Sequence, residues 1–466
     1  MIINYYNKAR YTLLIFSLFI FSCKKAIDLT PSDTIDATKA YRNLSDINLG
    51  LIGSYAVLGT SDITNNSLVS DECMLPAENT TGGNVATHRW QYDGSNGTVT
   101  AAFSENYIAI NRINEALNAI DVVPSAGLEM ELKERYRGEL LALRAYCHFE
   151  LIRNFASKYE TGALGVPYME VHEVGSPSRL SFEATIAKVK ADLGTAKALI
   201  PASFTDKTRI TKNAISAMQA RVALYEKNWN DAITYSTEAI NLVPLATKVQ
   251  FPDIWKDKTE AEVFWKLKRA TSTDGLLGSF YFNTNNIVLY APAFKLVNLY
   301  DKINDIRFNS YIRVDNTRGA GKATNIVAKY VGGGSTLNLA DIKLYRTGEL
   351  YLIRAEAYAE TNKLAEAAAD INVLRAARIT GYTAQTFASQ ADLIAAIYSE
   401  RFKELAFEGH RFFDLRRRNY PVMREAADAI NALGAVLLNP TQAQFSFPLP
   451  DSEIKVNKNM VQNPNY

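Results

Sequence analysis

Cysteine is scarce in this 466-residue chain, with only Cys23, Cys73 and Cys147 present. Three thiols this far apart exclude a disulfide framework. The four histidines, His88, His148, His172 and His410, show no paired ligand spacing. No metal bound by protein side chains is therefore expected, and no cofactor. A surplus of either charge is also missing, since 51 basic against 49 acidic residues leave a net charge of +2 with no like-charge block. Nothing in that balance would draw a phosphate backbone, so no nucleic-acid partner is expected. Long apolar runs are lacking too. The clearest one, Tyr11 to Phe21, is about half the ~20 residues that span a bilayer.

What is present reads as a protein with a large core, 47% hydrophobic and 21% charged. Tyrosine is plentiful at 25 residues, and rings left on loops would suit stacking against sugars, having an apolar face and a polar edge. Lys8 and Arg10 precede the apolar run, which makes it the h-region of a signal peptide over residues 1–22. It ends Ile20-Phe21-Ser22-Cys23, which resembles a bacterial lipobox with Cys23 as the lipidated residue. Each buried acyl methylene contributes about 0.8 kcal/mol, so several chains on Cys23 would hold the protein to a membrane. Residues 23–45 then form a tether, and residues 46–466 a single domain.

Helical periodicity starts near Asp46 to Leu58, and Gly59 to Thr100 is Ser-, Asn- and Gly-rich and reads as a long loop insertion. Strong stripes follow: Phe103, Ile110, Ile113, Leu117 and Ile120, then Leu132 through Leu151 with Cys147 on the apolar face. Ser181 is placed to cap a third helix, with Glu183 in its first turn. Two helix pairs then carry small residues at tetratricopeptide spacing, Ala232, Ser236 and Ala239 in one and Ala355, Ala359 and Ala367 in the other. The second pair is read over Tyr345 to Ala377. Lys248 to Ala340 is an insertion containing a strand at Val263 to Leu267 and several loops. The ending FPLPDSEIKVNKNMVQNPNY, with three prolines, reads as non-helical.

The stretch Ser399 to Asn419, SERFKELAFEGHRFFDLRRRN, concentrates the charge chemistry. Glu400, Glu404 and Glu408 stand four apart, and Asp414 sits among arginines and rings. Such a mixture is an acid–base cluster or a structural ion-pair knot, and the interleaving with aromatics favours the knot. Gly409 is positioned for a left-handed exit from the helix.

Glu400 to Asn419 and the final twenty residues resemble the SusD/RagB family of outer-membrane lipoproteins, as do Tyr136 to Ala156, Arg209 to Ala232 and Arg346 to Glu360. The resemblance implies a mostly α-helical fold, in which tetratricopeptide-like helix pairs support a loop-rich face with a few short strands. It also implies a non-enzymatic protein at the cell exterior, anchored in the outer membrane. Such a protein captures oligosaccharide and passes it to a SusC-like TonB-dependent transporter. Peptide or glycopeptide capture and pure scaffolding are the implied alternatives, and a structural calcium ion is compatible with either. A hydrolase would instead need two carboxylates about 5–10 Å apart beside the aromatic loops.

Sugar capture needs rings for stacking and amides or charges for hydroxyls. Two loop stretches supply both, Asn79 to Asn96 and Ser279 to Tyr290. Their candidate ligand residues are Trp90, Tyr92, Asn96, Tyr281, Asn285 and Tyr290. Trp229 and Trp265 are read as core, with Trp255 between core and surface.

Overall fold

A computed structural model describes residues 40–466 of the chain. The signal peptide, Cys23 and the tether up to residue 39 lie outside the described residues. Helices of seven residues or more are numbered in order. They are α1 (Leu44–Ala56), α2 (Ser61–Val69), α3 (Gly97–Val122), α4 (Leu128–Phe155), α5 (Phe182–Leu199), α6 (Lys212–Glu226) and α7 (Trp229–Leu242). After a long excursion come α8 (Thr347–Glu360), α9 (Leu364–Arg378), α10 (Gln390–Glu404) and α11 (Arg411–Arg417). Among the described residues eight short strands pair two by two, so no sheet there exceeds two strands. No helix among the described residues is long and apolar enough to cross a membrane.

The helices form a row in which α3 packs on α4, α4 on α5, α5 on α6, α6 on α7, α7 on α8, and α8 on both α9 and α10. Small buried residues permit this closeness: Ala232, Ser236 and Ala239 on α7, and Ala355, Ala359 and Ala367 on α8 and α9, are fully buried. Side-chain caps set the helix starts. Asn43, Asn96, Ser181, Thr211, Asn228 and Ser389 each accept a first-turn backbone N–H. Lys227 and Asn362 take left-handed conformations in the turns of the two repeat-like hairpins, at φ 59° and 58°.

The excursion between α7 and α8 leaves and rejoins the row at one point. Its strand β2 (Val263–Leu267) pairs antiparallel with β6 (Ile342–Arg346), and Thr347 donates to the Glu262 carbonyl at 2.9 Å and to the Val243 carbonyl at 2.7 Å. The insertion is thereby closed at its root, and α8 stacks on α7 as if nothing intervened.

Several boundaries differ from those the sequence pattern suggests. Gly59 to Thr100 is not one loop: it contains α2, a turn of helix at Val85–His88 and the start of α3. Helix α2 was hidden because its buried residues include Asn65, Asn66 and Ser67, so it carries no apolar stripe. Tyr345 lies in β6 rather than in a helix, and β2 is buried at all five positions because both its faces are covered. The ending contains the helix Asp451–Val456, which starts directly after Pro450, a position where proline's fixed φ assists helix entry. Gly409 is left-handed (φ 80°), but α10 has already ended at Glu404, and Phe407 is left-handed as well (φ 63°).

Trp265 and Trp255 are buried, Trp229 is half-buried, and Cys147 is fully buried on α4. The main core runs without interruption from Leu44 on α1 to Met460 near the end of the chain.

Candidate functional site

The two loop stretches singled out by composition meet in space. Strands β1 (Cys73–Met74) and β3 (Ala291–Pro292) pair antiparallel and bring the roots of both stretches together. Above them the Asn79 amide donates to the Leu289 carbonyl at 2.9 Å, and the Tyr290 hydroxyl donates to the Gly83 carbonyl at 2.7 Å. Two further stretches join, and neither carried a ring-and-amide signature. Arg318, in the connection between β4 (Ile312–Val314) and β5 (Asn325–Val327), donates to Glu78 at 2.6 Å and to Asn286 Oδ1 at 2.9 Å. Asn431, between β7 (Val422–Met423) and β8 (Leu437–Leu438), accepts from Arg89 at 2.9 Å and donates to the Leu75 carbonyl at 3.0 Å. Their only signal in the sequence was turn chemistry, DNTRGAG in one and a short apolar hairpin in the other.

Within this loop-rich face the candidate rings point inward. Trp90 is 9% exposed; its indole N–H donates to the Val69 carbonyl at 2.9 Å and its ring carries the Arg424 guanidinium 4.3 Å away. Tyr92 is buried against Phe447 and donates to the Gln444 carbonyl. Tyr281 is fully buried, stacked on Tyr330, with its hydroxyl 2.9 Å from Ser67 Oγ. Tyr290 is buried, with Phe280 stacked on it at 5.0 Å. Asn96 spends its side chain capping α3 at Thr98 and Val99. Of the six candidates, only Asn285 has an exposed side chain. All four rings are therefore committed to packing in this conformation, because each polar edge has a backbone or side-chain partner inside the fold.

Other groups remain at the surface of this face. Phe280 is half-buried, and Gln91, Asp93 and Arg313 are exposed alongside Asn285, as is Asn286, whose Oδ1 accepts from Arg318. The β7–β8 hairpin and its loop present Met423, Ile430, Leu433 and Leu437, with Phe294 nearby, as exposed apolar side chains. The hairpin is pinned to Phe294 and Lys295 through Asp428, which accepts both backbone N–H groups, at 2.6 and 3.1 Å.

The charged stretch at the end of α10 is a buried knot. Glu404 faces Arg307, Arg346 and Arg378 at 3.0–3.1 Å. Glu400 pairs with Arg307 and Arg375 at 2.6 Å, and Glu408 pairs with Lys329 and Arg346 at 2.6 Å. Burial alone would raise the Glu400 carboxyl, but Arg307, Lys403 and Arg375 outweigh it and hold the group at about 2. Asp414 bridges Arg401 at 2.8 Å and Arg417 at 2.9 Å. These carboxylates are ion-paired, held ionised by their arginine partners and away from solvent, so they offer no acid–base pair to a substrate. Among the described residues no group of three or more His, Cys, Asp or Glu side chains is placed to hold a metal ion.

Two family profiles match the chain. The one described as "SusD family" covers residues 311–466, and the one described as "Starch-binding associating with outer membrane" covers residues 34–224. SusD-like protein P25 of Formosa agariphila is 22% identical, over 96% of this chain and 96% of its own length. A SusD superfamily structure from Bacteroides thetaiotaomicron superposes with a TM-score of 0.81 at 21% identity, covering 91% of this chain and all of the other. A structure described as "Laminarin binding SusD-like protein" gives a TM-score of 0.69 at 19% identity, covering 91% of this chain and all of the other. The two profiles together cover residues 34–224 and 311–466, and the chain belongs to the SusD/RagB family.

Proposed function

We propose that the protein is a glycan-capturing lipoprotein of the outer membrane. Anchored through Cys23 and facing the cell exterior, it collects oligosaccharide without cutting it and passes it to a SusC-like TonB-dependent transporter. Residues 46–466 act as one binding unit after removal of the 1–22 leader. The observation that carries this reading is the loop-rich face, where four stretches distant in sequence are cross-linked into one preformed surface by Asn79, Tyr290, Arg318 and Asn431. Preformed surfaces bind with little ordering cost, which suits a receptor that must capture and then release. Related proteins described as binding laminarin or carbohydrate support a saccharide ligand.

The buried rings move the expected contacts outward. Phe280, with one face on Tyr290, together with Asn285, Asn286 and Gln91, is the set proposed to meet the sugar. Calorimetric titration of the mature protein with a panel of oligosaccharides tests this. Binding of at least one glycan that is lost in Phe280→Ala with Asn286→Ala supports the reading. If every glycan fails to bind and no barrel partner co-purifies, the reading falls; if every glycan fails while a barrel partner is retained, the scaffold alternative stands.

A further inference from the structure

A cleft of about 300 Å³ lies outside the four stretches of the loop-rich face, where the end of α4, the tip of α11 and the segment around residues 440–446 converge. That volume is at the small end of ligand sites and suits one or two sugar residues. Its walls carry Lys158, Tyr159, Lys227, Arg416, Asn419 and Phe445, with Gln442 and Asn465 at the rim.

The charge balance of this cleft differs from that of the ion-pair knot, although Arg179 and Arg424 are likewise buried and bonded to carbonyl oxygens rather than carboxylates. Arg307, Arg346, Arg378, Arg401 and Arg417 are buried guanidinium groups, each answered by a carboxylate within 4 Å. Arg416 is only 8% exposed, yet no carboxylate among the described residues pairs with it. It donates to the carbonyls of Arg153 and Ala156 at 2.9 Å and to the Tyr159 hydroxyl at 2.8 Å. The end of α4 carries about half a negative charge, so these bonds offset Arg416 in part and leave a remainder. Lys227 is exposed, left-handed at the end of α6, and likewise has no described carboxylate within the same distance. Glu160 is the only acid in the lining, and Lys158 already faces it at 3.3 Å. The cleft is therefore a small positive site with the exposed amides of Asn419 and Gln442 at its mouth.

We propose that this cleft is a second saccharide subsite that takes an acidic sugar residue, one bearing a carboxylate or a sulfate. The anionic group would sit against Lys227 and the Arg416 end of the cleft. Asn419 and Gln442 would meet the hydroxyls. The proposal depends on the glycan-capture reading only in taking the ligand to be a saccharide.

The test uses the mature full-length chain and three probes: a galacturonate oligosaccharide, a sulfated oligosaccharide and a neutral β-glucan oligosaccharide. Lys158→Glu with Lys227→Glu alters two exposed side chains and leaves Arg416, which holds the α4 end, untouched; Gln442→Ala is a milder second variant. At least one acidic probe should bind, weaken as salt is raised, and lose about tenfold or more in affinity in the charge-reversed variant. Gln442→Ala should weaken the same probe, and Phe280→Ala should leave it unaffected. The galacturonate and sulfated arms separate the two sources of the anion. Acidic binding that survives charge reversal, or that disappears in Phe280→Ala instead, overturns the subsite. Neutral glucan binding with no acidic binding also overturns it while leaving the glycan-capture reading intact. Failure of all three probes overturns the subsite, whereas the glycan-capture reading falls only if the wider panel also fails and no barrel partner co-purifies.

Discussion

Arg346 holds Glu404 twice, through Nη1 to its carboxylate and through Nη2 to its backbone carbonyl, each at 3.0 Å. The same guanidinium reaches Glu262 and Glu408, so one arginine at the end of β6 joins the root of the insertion to the end of α10. Removing the Glu404 carboxylate from this knot leaves an excess of buried positive charge, even though each of its three arginines keeps another acidic partner. Glu404→Ala is expected to cost about 3–5 kcal/mol, and Asp414→Ala, which strands Arg401 and leaves Arg417 with Glu356 alone, a similar amount. Urea unfolding of each variant checks this, and a transition unchanged from wild type would remove the knot's structural role. Any glycan binding should persist in the folded fraction, because neither residue lies on the loop-rich face.

Gly348 owes its identity to the same knot. A Cβ there would stand 2.4 Å from Glu404 Oε1 and 3.2 Å from Arg378 Nη2. A free glutamate could swing away, but this one is held by three arginines. Gly348→Ala should therefore destabilise by about 1–3 kcal/mol, although alanine is the better helix former. Thermal melting decides the sign.

Tyr281 and Asn285 separate packing from exposure within the same short stretch. Tyr281→Phe removes the partner of Ser67 Oγ in a fully buried place and should cost about 1 kcal/mol. Asn285→Ala alters an exposed side chain and should leave the unfolding transition within about 0.5 kcal/mol of wild type. Parallel denaturant curves compare the two, and equal effects would contradict the burial described.

Glu72 is fully buried, and burial pushes its carboxyl up to about 7 despite hydrogen bonds from Ser67 Oγ and the Phe407 N–H. Neighbouring Asp71 raises it further, while Lys329 opposes, too weakly to prevail. The folded state thus binds a proton more tightly than the unfolded chain. The resulting stability is fully present below about pH 4.5 and is lost as pH rises toward 7. Glu72→Gln removes this titration, so its stability should fall less than that of wild type between pH 5 and pH 8, by roughly 3 kcal/mol at most. Melting profiles across that range check the difference in slope.

The long helices were readable because each buries an apolar stripe, and stripes survive in one dimension. Helix α2 was not, since it buries Asn65, Asn66 and Ser67 along with Ile63, Leu68 and Val69, which breaks any apolar stripe. The ion-pair knot was legible in outline from Glu400, Glu404 and Glu408, but its partners Arg307, Arg346 and Arg378 come from three distant segments. The two loop stretches were correctly seen as rich in rings and amides, and they do meet. Composition could not say which way the rings face. Trp90 and Tyr281 turn inward because Val69 and Ser67 supply partners for their polar edges.

Sequence by itself settled the helical class, the repeat-like pairs and the family, because periodicity, small-residue spacing and an ordered set of motifs are properties of the chain alone. Tertiary structure decided which residues remain for a ligand. Burial is a property of neighbours, and the neighbours of Trp90, Tyr281 and Arg416 lie up to several hundred residues away. The same physics left Arg416 without a carboxylate and placed it at the back of a cleft, a relationship no local pattern could carry.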